Sequence, residues 1–408
     1  MKFLLSTFGS AGDVYPILGL ALELQARGHE VTLATNPHFA DLARRHDVRF
    51  EALGTEELFN AVLADPNLWH PRRAFATVFG GLQTTLKQQY ALHAEPGVIG
   101  ITNCFGLGAR LAQEKLGRPL VTVHLQPAVL WSDYEPPTFA GFFGPRWLRS
   151  LQFRFGQRFY IDPTVASFLD PWRAELGLPR VRKFMKWWNS PTAVLGLFPE
   201  WFAKPQPDWP ANFIQADFPL WSDDAGKSLP SDVATFLDRG DPPIVFTPGT
   251  ANVHAKGFFT AAVEACRALG RRGMLLTKYR EQVPTDLPES VAHFDYVPLN
   301  DVLPRSSAFV HHGGVGSTSQ ALAAGIPQII MPLAHDQFDN VTRIEKLGVG
   351  VRLVVKQFTG PRLAKKLESL LRSQDVIMAC RGPANRLRTH DGLTRAATAV
   401  EERVRDHA

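Results

Sequence analysis

Short apolar runs alternate with longer amphipathic stretches along the chain, and this alternation predicts strand–helix–strand units. Residues 2–7 read as a buried strand, Gly9-Ser10-Ala11-Gly12 as a loop and residues 15–27 as an apolar-faced helix stopped by Gly28. Residues 31–34 are the next strand, and residues 98–102, 105–116 and 120–123 repeat the strand–helix–strand order. A second series opens with a strand at 243–247, closed by Pro248-Gly249-Thr250, then a helix over 257–269 and a strand at 274–277. A strand at 308–311, a glycine loop, a helix to Ala324 and a strand at 328–331 follow. Such units imply parallel sheets with right-handed crossovers. The expected fold class is therefore α/β, with two doubly wound, Rossmann-like domains over 1–220 and 243–382. Between them, residues 221–242 have the Ser-, Asp-, Gly- and Pro-rich composition of a linker, as in Trp221-Ser222-Asp223-Asp224-Ala225-Gly226-Lys227-Ser228. The tail, 383–408, reads as helical and is a candidate to cross back onto the first domain.

Composition narrows the class. Three cysteines, Cys104, Cys266 and Cys380, lie far apart without a CxxC spacing. This excludes a disulfide scaffold and a Cys-rich zinc module, and fits a reducing cytoplasm. No apolar run approaches the ~18 residues of a membrane span, and the apolar opening Met1–Ser6 is too short for a signal peptide. The net charge of +5 is mild, but residues 141–190 carry nine Lys/Arg against three Asp/Glu, more excess charge than the whole chain.

Aromatic residues cluster in the same half. All nine Trp lie between Trp69 and Trp221, which suits either an aromatic core or an aromatic-lined pocket. In the stretch from Phe142-Phe143-Gly144 onward, Leu148, Leu151, Phe155 and Phe159 fall at helical spacing, with Arg146, Arg149, Arg154 and Arg158 interleaved. Val181-Arg182-Lys183-Phe184-Met185-Lys186-Trp187-Trp188 repeats the mixture. One reading is a face resting on an anionic membrane, where a lipid acceptor is collected; the other is the solvated face of ordinary helices. No nucleic-acid-binding motif accompanies the basic residues, so nucleic acid is not an expected partner.

Four loops carry candidate chemistry. The run His311-His312-Gly313-Gly314-Val315-Gly316-Ser317-Thr318-Ser319-Gln320 stands between a strand and a helix. Its glycines allow close backbone approach, and the helix start offers free N–H groups and positive dipole, a site suited to a diphosphate. Ser317, Thr318 and His312 add donors; a glycine-rich packing turn is the alternative. Thr250, ending the first strand of the same domain, faces the same ligand by the switch-point rule. Asp336 and Gln337 suit sugar hydroxyls, and Asp336 also suits a helix cap. Gly9 to Pro16 is not GxGxxG and no acidic residue follows the second strand, which argues against a nicotinamide site. That loop instead offers a carboxylate, Asp13, whose alternative role is a helix cap.

The run from His312 to Gln320, then Gly325-Ile326-Pro327, Pro332 and Asp336-Gln337, resembles the donor-binding signature of the family 1 inverting glycosyltransferases of GT-B fold. Gly12-Asp13-Val14-Tyr15-Pro16 resembles the first loop of their bacterial and sterol-type branch. Leu197-Phe198-Pro199-Glu200-Trp201-Phe202-Ala203, Pro207-Asp208-Trp209-Pro210 and His335-Asp336-Gln337-Phe338-Asp339-Asn340 look most like the rhamnosyltransferases of rhamnolipid synthesis, followed by sterol, macrolide and glycopeptide glucosyltransferases.

The resemblance implies two Rossmann-like domains facing each other across a cleft. It implies that His312, Gly313, Gly314, Gly316, Ser317 and Thr250 hold the donor diphosphate. Tyr296, Val297 and Gln320 would meet the nucleoside, and Asp336 and Gln337 the donor sugar. Gln320 stands where the family usually has a glutamate that holds both ribose hydroxyls, which leans toward dTDP over UDP. Leu299 replaces a glutamine that contacts the sugar in plant members, so glucose specificity is not implied. No histidine stands in the first loop where plant members have their base, and His29 falls beyond the helix. Asp13 is then the general base, and an ordinary Asp near pKa ~3.9 is a weak base for an alcohol. Burial or a neighbour must raise it, and His124 is a candidate neighbour. There is no Asp-x-Asp motif, so neither a bridging metal nor another cofactor is expected.

The implied activity is inverting transfer of a sugar, rhamnose among the candidates, from a nucleotide diphosphate to a hydroxyl of an apolar, lipid-like acceptor. The expected place is the cytoplasm, with peripheral contact at the inner membrane surface. A sterol or secondary-metabolite glucosyltransferase, a nicotinamide-dependent oxidoreductase and a catalytically silent nucleotide-sugar-binding homologue are the alternatives.

Overall fold

The computed structural model describes residues 1–70, 73–142, 144–223, 228–250, 252–389 and 391–405. Phe143 of the aromatic stretch, residues 224–227 of the expected linker and residues 406–408 of the tail lie outside the described residues. The chain divides into two compact units, Met1–Pro219 with Asp391–Ala408, and Leu220–His390.

Among the described residues the first unit holds a seven-stranded sheet. Its strands are β1 (Lys2–Ser6), β2 (Glu30–Thr35), β3 (Arg49–Ala52), β4 (Val98–Asn103), β5 (Leu120–His124), β6 (Ala193–Gly196) and β7 (Phe213–Gln215). They run in the order β3-β2-β1-β4-β5-β6-β7, every pair parallel. Phe3 of β1 pairs with Val31 on one side and Ile99 on the other, all three buried. Continuous burial along β4 and β5 is what a parallel sheet covered on both faces requires.

The second unit holds a six-stranded parallel sheet made of β8 (Ile244–Thr247), β9 (Gly273–Leu276), β10 (Val291–Phe294), β11 (Ala308–His311), β12 (Gln328–Ile330) and β13 (Gly350–Arg352). Its order is β10-β9-β8-β11-β12-β13. In both sheets the winding direction reverses beside the first strand, between β1 and β4 and between β8 and β11. Ligands of open parallel sheets bind at the carboxyl ends of strands flanking such a reversal.

Two sequence expectations need correction. Residues 221–242 are not linker throughout. Helix Ser231–Asp238 lies there, and its Val233 and Leu237 are buried in the core of the second unit. The tail is not one helix from residue 383. Helix Gln374–Arg388 stays with the second unit, and a new helix, Gly392–Val404, starts where the Asp391 carboxylate accepts from Thr394 N at 3.1 Å. This last helix packs on helix Ala11–Ala26 of the first unit. Arg27 and His29 both reach Glu401, at 2.8 and 2.6 Å, and Arg395 meets Asp217 at 2.7 Å. His29 is thereby held in a structural ion-pair cluster.

Candidate active site

In the first unit the chain leaves β1 through Thr7-Phe8-Gly9-Ser10 and enters helix Ala11–Ala26. Ser10 donates its backbone N–H to Asp13 Oδ2 at 2.9 Å and its hydroxyl to the same oxygen at 3.3 Å. These bonds draw the helix start back to Ala11, so Asp13 sits in the first helical turn and not on a loop. The capping role is real, and it leaves Asp13 part-exposed at the carboxyl end of β1. Desolvation outweighs the two Ser10 bonds and pushes the Asp13 pKa up to about 6.

Asp13 lines a cavity of about 10 Å³, room for roughly one water, with Asn103, Cys104, His124, Gln126 and Val129 among its walls. Asn103 is committed: its amide donates to Thr7 Oγ1 and Phe8 O, and its oxygen accepts from Phe105 N. Cys104 belongs to an apolar cluster with Phe8, Phe79, Phe153, Phe184 and Trp188, and Val129 and Trp131 pack against it. Trp131 stacks on Phe153 with ring centroids 3.5 Å apart. The aromatic residues thus build a core that continues into the wall of the Asp13 cavity.

Helix Arg146–Gly156 and its continuation Gln157–Ile161 carry Trp147, Leu151, Phe155 and Phe159 at 67, 57, 64 and 64% exposure. Leu148 is partly buried and does not belong to this stripe, and Arg149 turns inward to Pro136 O and Thr138 Oγ1. Arg146, Arg154 and Arg158 flank the stripe exposed, Arg154 paired with Asp133. The second mixed stretch differs: Phe184, Met185 and Trp188 are buried in the core, and only its cations face solvent.

In the second unit, β11 passes through the glycine turn into helix Val315–Ala324. His311 is buried and structural, its Nδ1 accepting from Gly313 N at 3.1 Å and its Nε2 bound to Gln328 Oε1 at 3.0 Å. His312 is neutral, its pKa pushed down to about 4 by burial and by His335, and its Nδ1 is buried without a partner. The turn after β8 abuts this ring. A Cβ on Gly249, where φ is +93°, would lie 2.6 Å from His312 Cε1. Gly316 is different: a Cβ there would meet nothing within 4 Å, so packing does not demand a glycine.

His312, Gly313, Gly314, Gly316, Ser317 and Thr250 therefore gather at the carboxyl ends of β8 and β11, with Thr250 exposed and Ser317 part-exposed. Asn340, not anticipated from the sequence, ties two loops together by donating to Gly313 O at 2.9 Å and to Asp336 Oδ2 at 2.7 Å. Its signal was present as a position one helical turn beyond Asp336. Thr318, singled out as a hydroxyl donor, is buried with Oγ1 unpartnered. Gln337 is buried and its Oε1 accepts from Leu333 N and Ala334 N, which leaves only its amide N–H groups for a sugar. Tyr296, exposed, and Val297, buried, follow the edge strand β10, and Gln320 is part-exposed on helix Val315–Ala324. Among the described residues no group of three or more His, Cys, Asp or Glu could hold a metal ion, and no helix is long and apolar enough to cross a membrane.

Residues 3–127 match the glycosyltransferase family 28 N-terminal domain, and residues 274–392 match the erythromycin biosynthesis protein CIII-like C-terminal domain. The chain is 31% identical to glycosyltransferase GtfE of Amycolatopsis orientalis over 367 residues, 86% of this chain and 85% of that protein. In fold it is similar to the glycotransferase of kitacinnamycin, with a TM-score of 0.77, 22% identity and 98% of both chains covered. It is also similar to the spinosyn rhamnosyltransferase SpnG complexed with thymidine diphosphate, with a TM-score of 0.70, 18% identity, and 98% of this chain and 100% of that one covered. These matches set the oxidoreductase reading aside. Two parallel Rossmann-like units, a match at each end and a relative aligned over most of its length make this chain a member of the GT-B-fold glycosyltransferases, a hexosyltransferase that draws on a nucleotide-sugar donor.

Proposed function

We propose that the chain transfers a sugar with inversion from a nucleotide diphosphate, dTDP in preference to UDP and with rhamnose among its sugars, to a hydroxyl of an apolar, lipid-like acceptor, as in rhamnolipid synthesis. The observation that carries this reading is that the two chemically equipped loops stand at the strand-order reversals of their sheets, Asp13 beside β1 and β4, the His312 turn beside β8 and β11. Asp13 takes the proton of the acceptor hydroxyl as its oxygen attacks the anomeric carbon. The bond from that carbon to the diphosphate breaks, and the electron pair leaves on the nucleotide. The start of helix Val315–Ala324 offers N–H groups and positive dipole to this developing charge, with His312, Ser317 and Thr250 donating around it. Asp336 and Gln337 meet the sugar, and Tyr296, Val297 and Gln320 the nucleoside.

A carboxyl with a pKa of about 6 is mostly ionised at neutral pH and so is ready to act as base, and it binds a proton about a hundredfold better than an ordinary Asp. Support for dTDP comes from Gln320 in place of an acid, and from the thymidine diphosphate bound by the spinosyn enzyme of similar fold. Support for an apolar acceptor comes from the aromatic wall beside the Asp13 cavity. The exposed stripe from Trp147 to Phe159, flanked by Arg146, Arg154 and Arg158, suits an anionic membrane on which such an acceptor is collected. The chain then works in the cytoplasm as a peripheral protein.

The test is a matrix of dTDP-rhamnose, dTDP-glucose and UDP-glucose against a β-hydroxyacyl lipid and a sterol. Transfer to the hydroxyacyl lipid from a dTDP-sugar is expected. Transfer from UDP-glucose to the sterol alone would replace the donor and acceptor assignments together.

A further inference from the structure

His124 ends β5 and is 1% exposed, yet only one of its ring nitrogens is used. Nε2 lies 2.6 Å from Asn189 Oδ1, while Nδ1 is buried without a partner. Asn189 fixes which nitrogen carries hydrogen. Its Nδ2 donates to Met185 O at 3.3 Å, a carbonyl that can only accept, so Oδ1 faces the imidazole and Nε2 must be the N–H. Burial pushes the ring pKa down to about 4, so the neutral ring presents Nδ1 as a bare lone pair. That lone pair belongs to a side chain lining the same one-water cavity as the Asp13 carboxyl. An unpaired buried acceptor is costly in a wall that has Val123, Leu125 and Val129, the committed Asn103, and Cys104 and Gln126, neither of which bonds Nδ1.

We propose that His124 is a positioning residue for Asp13: its Nδ1 accepts, directly or across one water, the hydrogen bond of the Asp13 carboxyl once that carboxyl holds the acceptor's proton. The proton leaves the acceptor hydroxyl, bonds to an Asp13 oxygen and points down a chain that ends on His124, which stays neutral throughout. Asp13 is the stronger base of the two, so the proton remains on the carboxyl. In that arrangement the bare nitrogen is the negative end of the imidazole dipole, which disfavours carboxylate and favours acid. His124 thereby makes Asp13 a better proton acceptor, and Asn189 does so at one remove by holding the tautomer. The functional part of this inference rests on Asp13 acting as base.

Tyr15 is the nearest titratable group along helix Ala11–Ala26, two residues from Asp13. Cys104 is the one further titratable group in the cavity wall. Thr7 to Ser10 and β6 bring none, and helix Phe184–Trp187 brings Lys186, which is exposed. Along helix Ala11–Ala26 the next charged residue is Glu23, ten residues or about 15 Å on.

The experiment measures the titration of Asp13 through the pH dependence of unfolding, each protein compared with its own Asp13→Asn counterpart. His124→Leu should lower the Asp13 pKa by about one unit, the worth of one neutral hydrogen bond. His124→Gln, whose amide can donate to Asn189 and accept from the cavity, should restore it to within a few tenths of a unit. If His124→Leu does not fold, Asn189→Ala replaces it: the freed ring can move its proton to Nδ1 and donate to the carboxylate, again lowering the Asp13 pKa. An Asp13 that titrates alike in wild type and in the folded variant overturns the inference. Turnover separates it from the reading beneath: Asp13→Asn inactive with Asp13 titration unmoved by His124 sinks only the role of His124. Asp13→Asn active sinks the base itself.

Discussion

Asp13→Asn removes a carboxyl whose pKa stands at about 6 in the fold against 3.8 in the unfolded chain. The sign is that of a raised carboxylate. Below pH 3.8 both states hold the proton and the group has no effect. As pH climbs, the unfolded chain ionises first, and the native state loses stability until Asp13 itself ionises near pH 6. The whole loss is about 3 kcal/mol, of which roughly 1.4 kcal/mol falls between pH 5 and pH 8. An asparagine at this position does not titrate and keeps an oxygen for the Ser10 N–H. The variant should therefore gain on wild type as pH rises, its advantage widening by roughly 1.4 kcal/mol from pH 5 to pH 8. Urea unfolding followed by Trp fluorescence reads this for the first unit, which holds every Trp except Trp221. The same variant should lose transfer by about 10²–10⁴-fold, the usual share of general base catalysis. An advantage that stays constant across the pH range would mean that Asp13 is an ordinary carboxylate, and would remove the physical ground for calling it a base.

Gly249→Ala should cost about 1–3 kcal/mol in the second unit, because its left-handed backbone and the His312 ring both refuse a Cβ; a thermal scan checks this, and an unchanged midpoint would show that the two loops are not locked together. Wild type should co-sediment with phosphatidylglycerol vesicles and detach as salt is raised. Trp147→Ser combined with Phe155→Ser should weaken the partition by at least about tenfold, given the apolar area removed; equal sedimentation of variant and wild type, or none by either, would reduce the stripe to an ordinary exposed helix face.

Much of the fold is legible in the residues because parallel strands covered on both faces must be apolar runs, and every glycine loop between them is a visible interruption. Strands β1, β2, β4, β5, β8, β9, β11 and β12 are read from that alone, while β3, β6, β7, β10 and β13, mostly short strands toward the sheet edges, are not. What escapes is set by contacts distant in sequence. Helix Ser231–Asp238 hides in a polar stretch because only Val233 and Leu237 of its face are fully buried. The start of helix Ala11–Ala26 is fixed by a Ser10–Asp13 bond that the surrounding glycines mask. At the candidate site, the glycine turn and Asp13 stand out as residue types at the ends of strands. The inward commitment of Gln337, the Asn340 link to Gly313 and the stranded Nδ1 of His124 depend on partners 3, 27 and 65 residues away; for Asn340 the sequence shows only its place one turn beyond Asp336, and no local pattern announces the last.

Calorimetric titration of dTDP into wild type, His312→Ala and Asp13→Asn addresses the donor site itself. Wild type and Asp13→Asn should bind dTDP with equal affinity, while His312→Ala weakens it at least about tenfold, one charge-assisted donor being worth roughly 1.5–3 kcal/mol. Equal affinity in His312→Ala and wild type, or a loss confined to Asp13→Asn, would contradict the assignment of the His312 turn to the diphosphate.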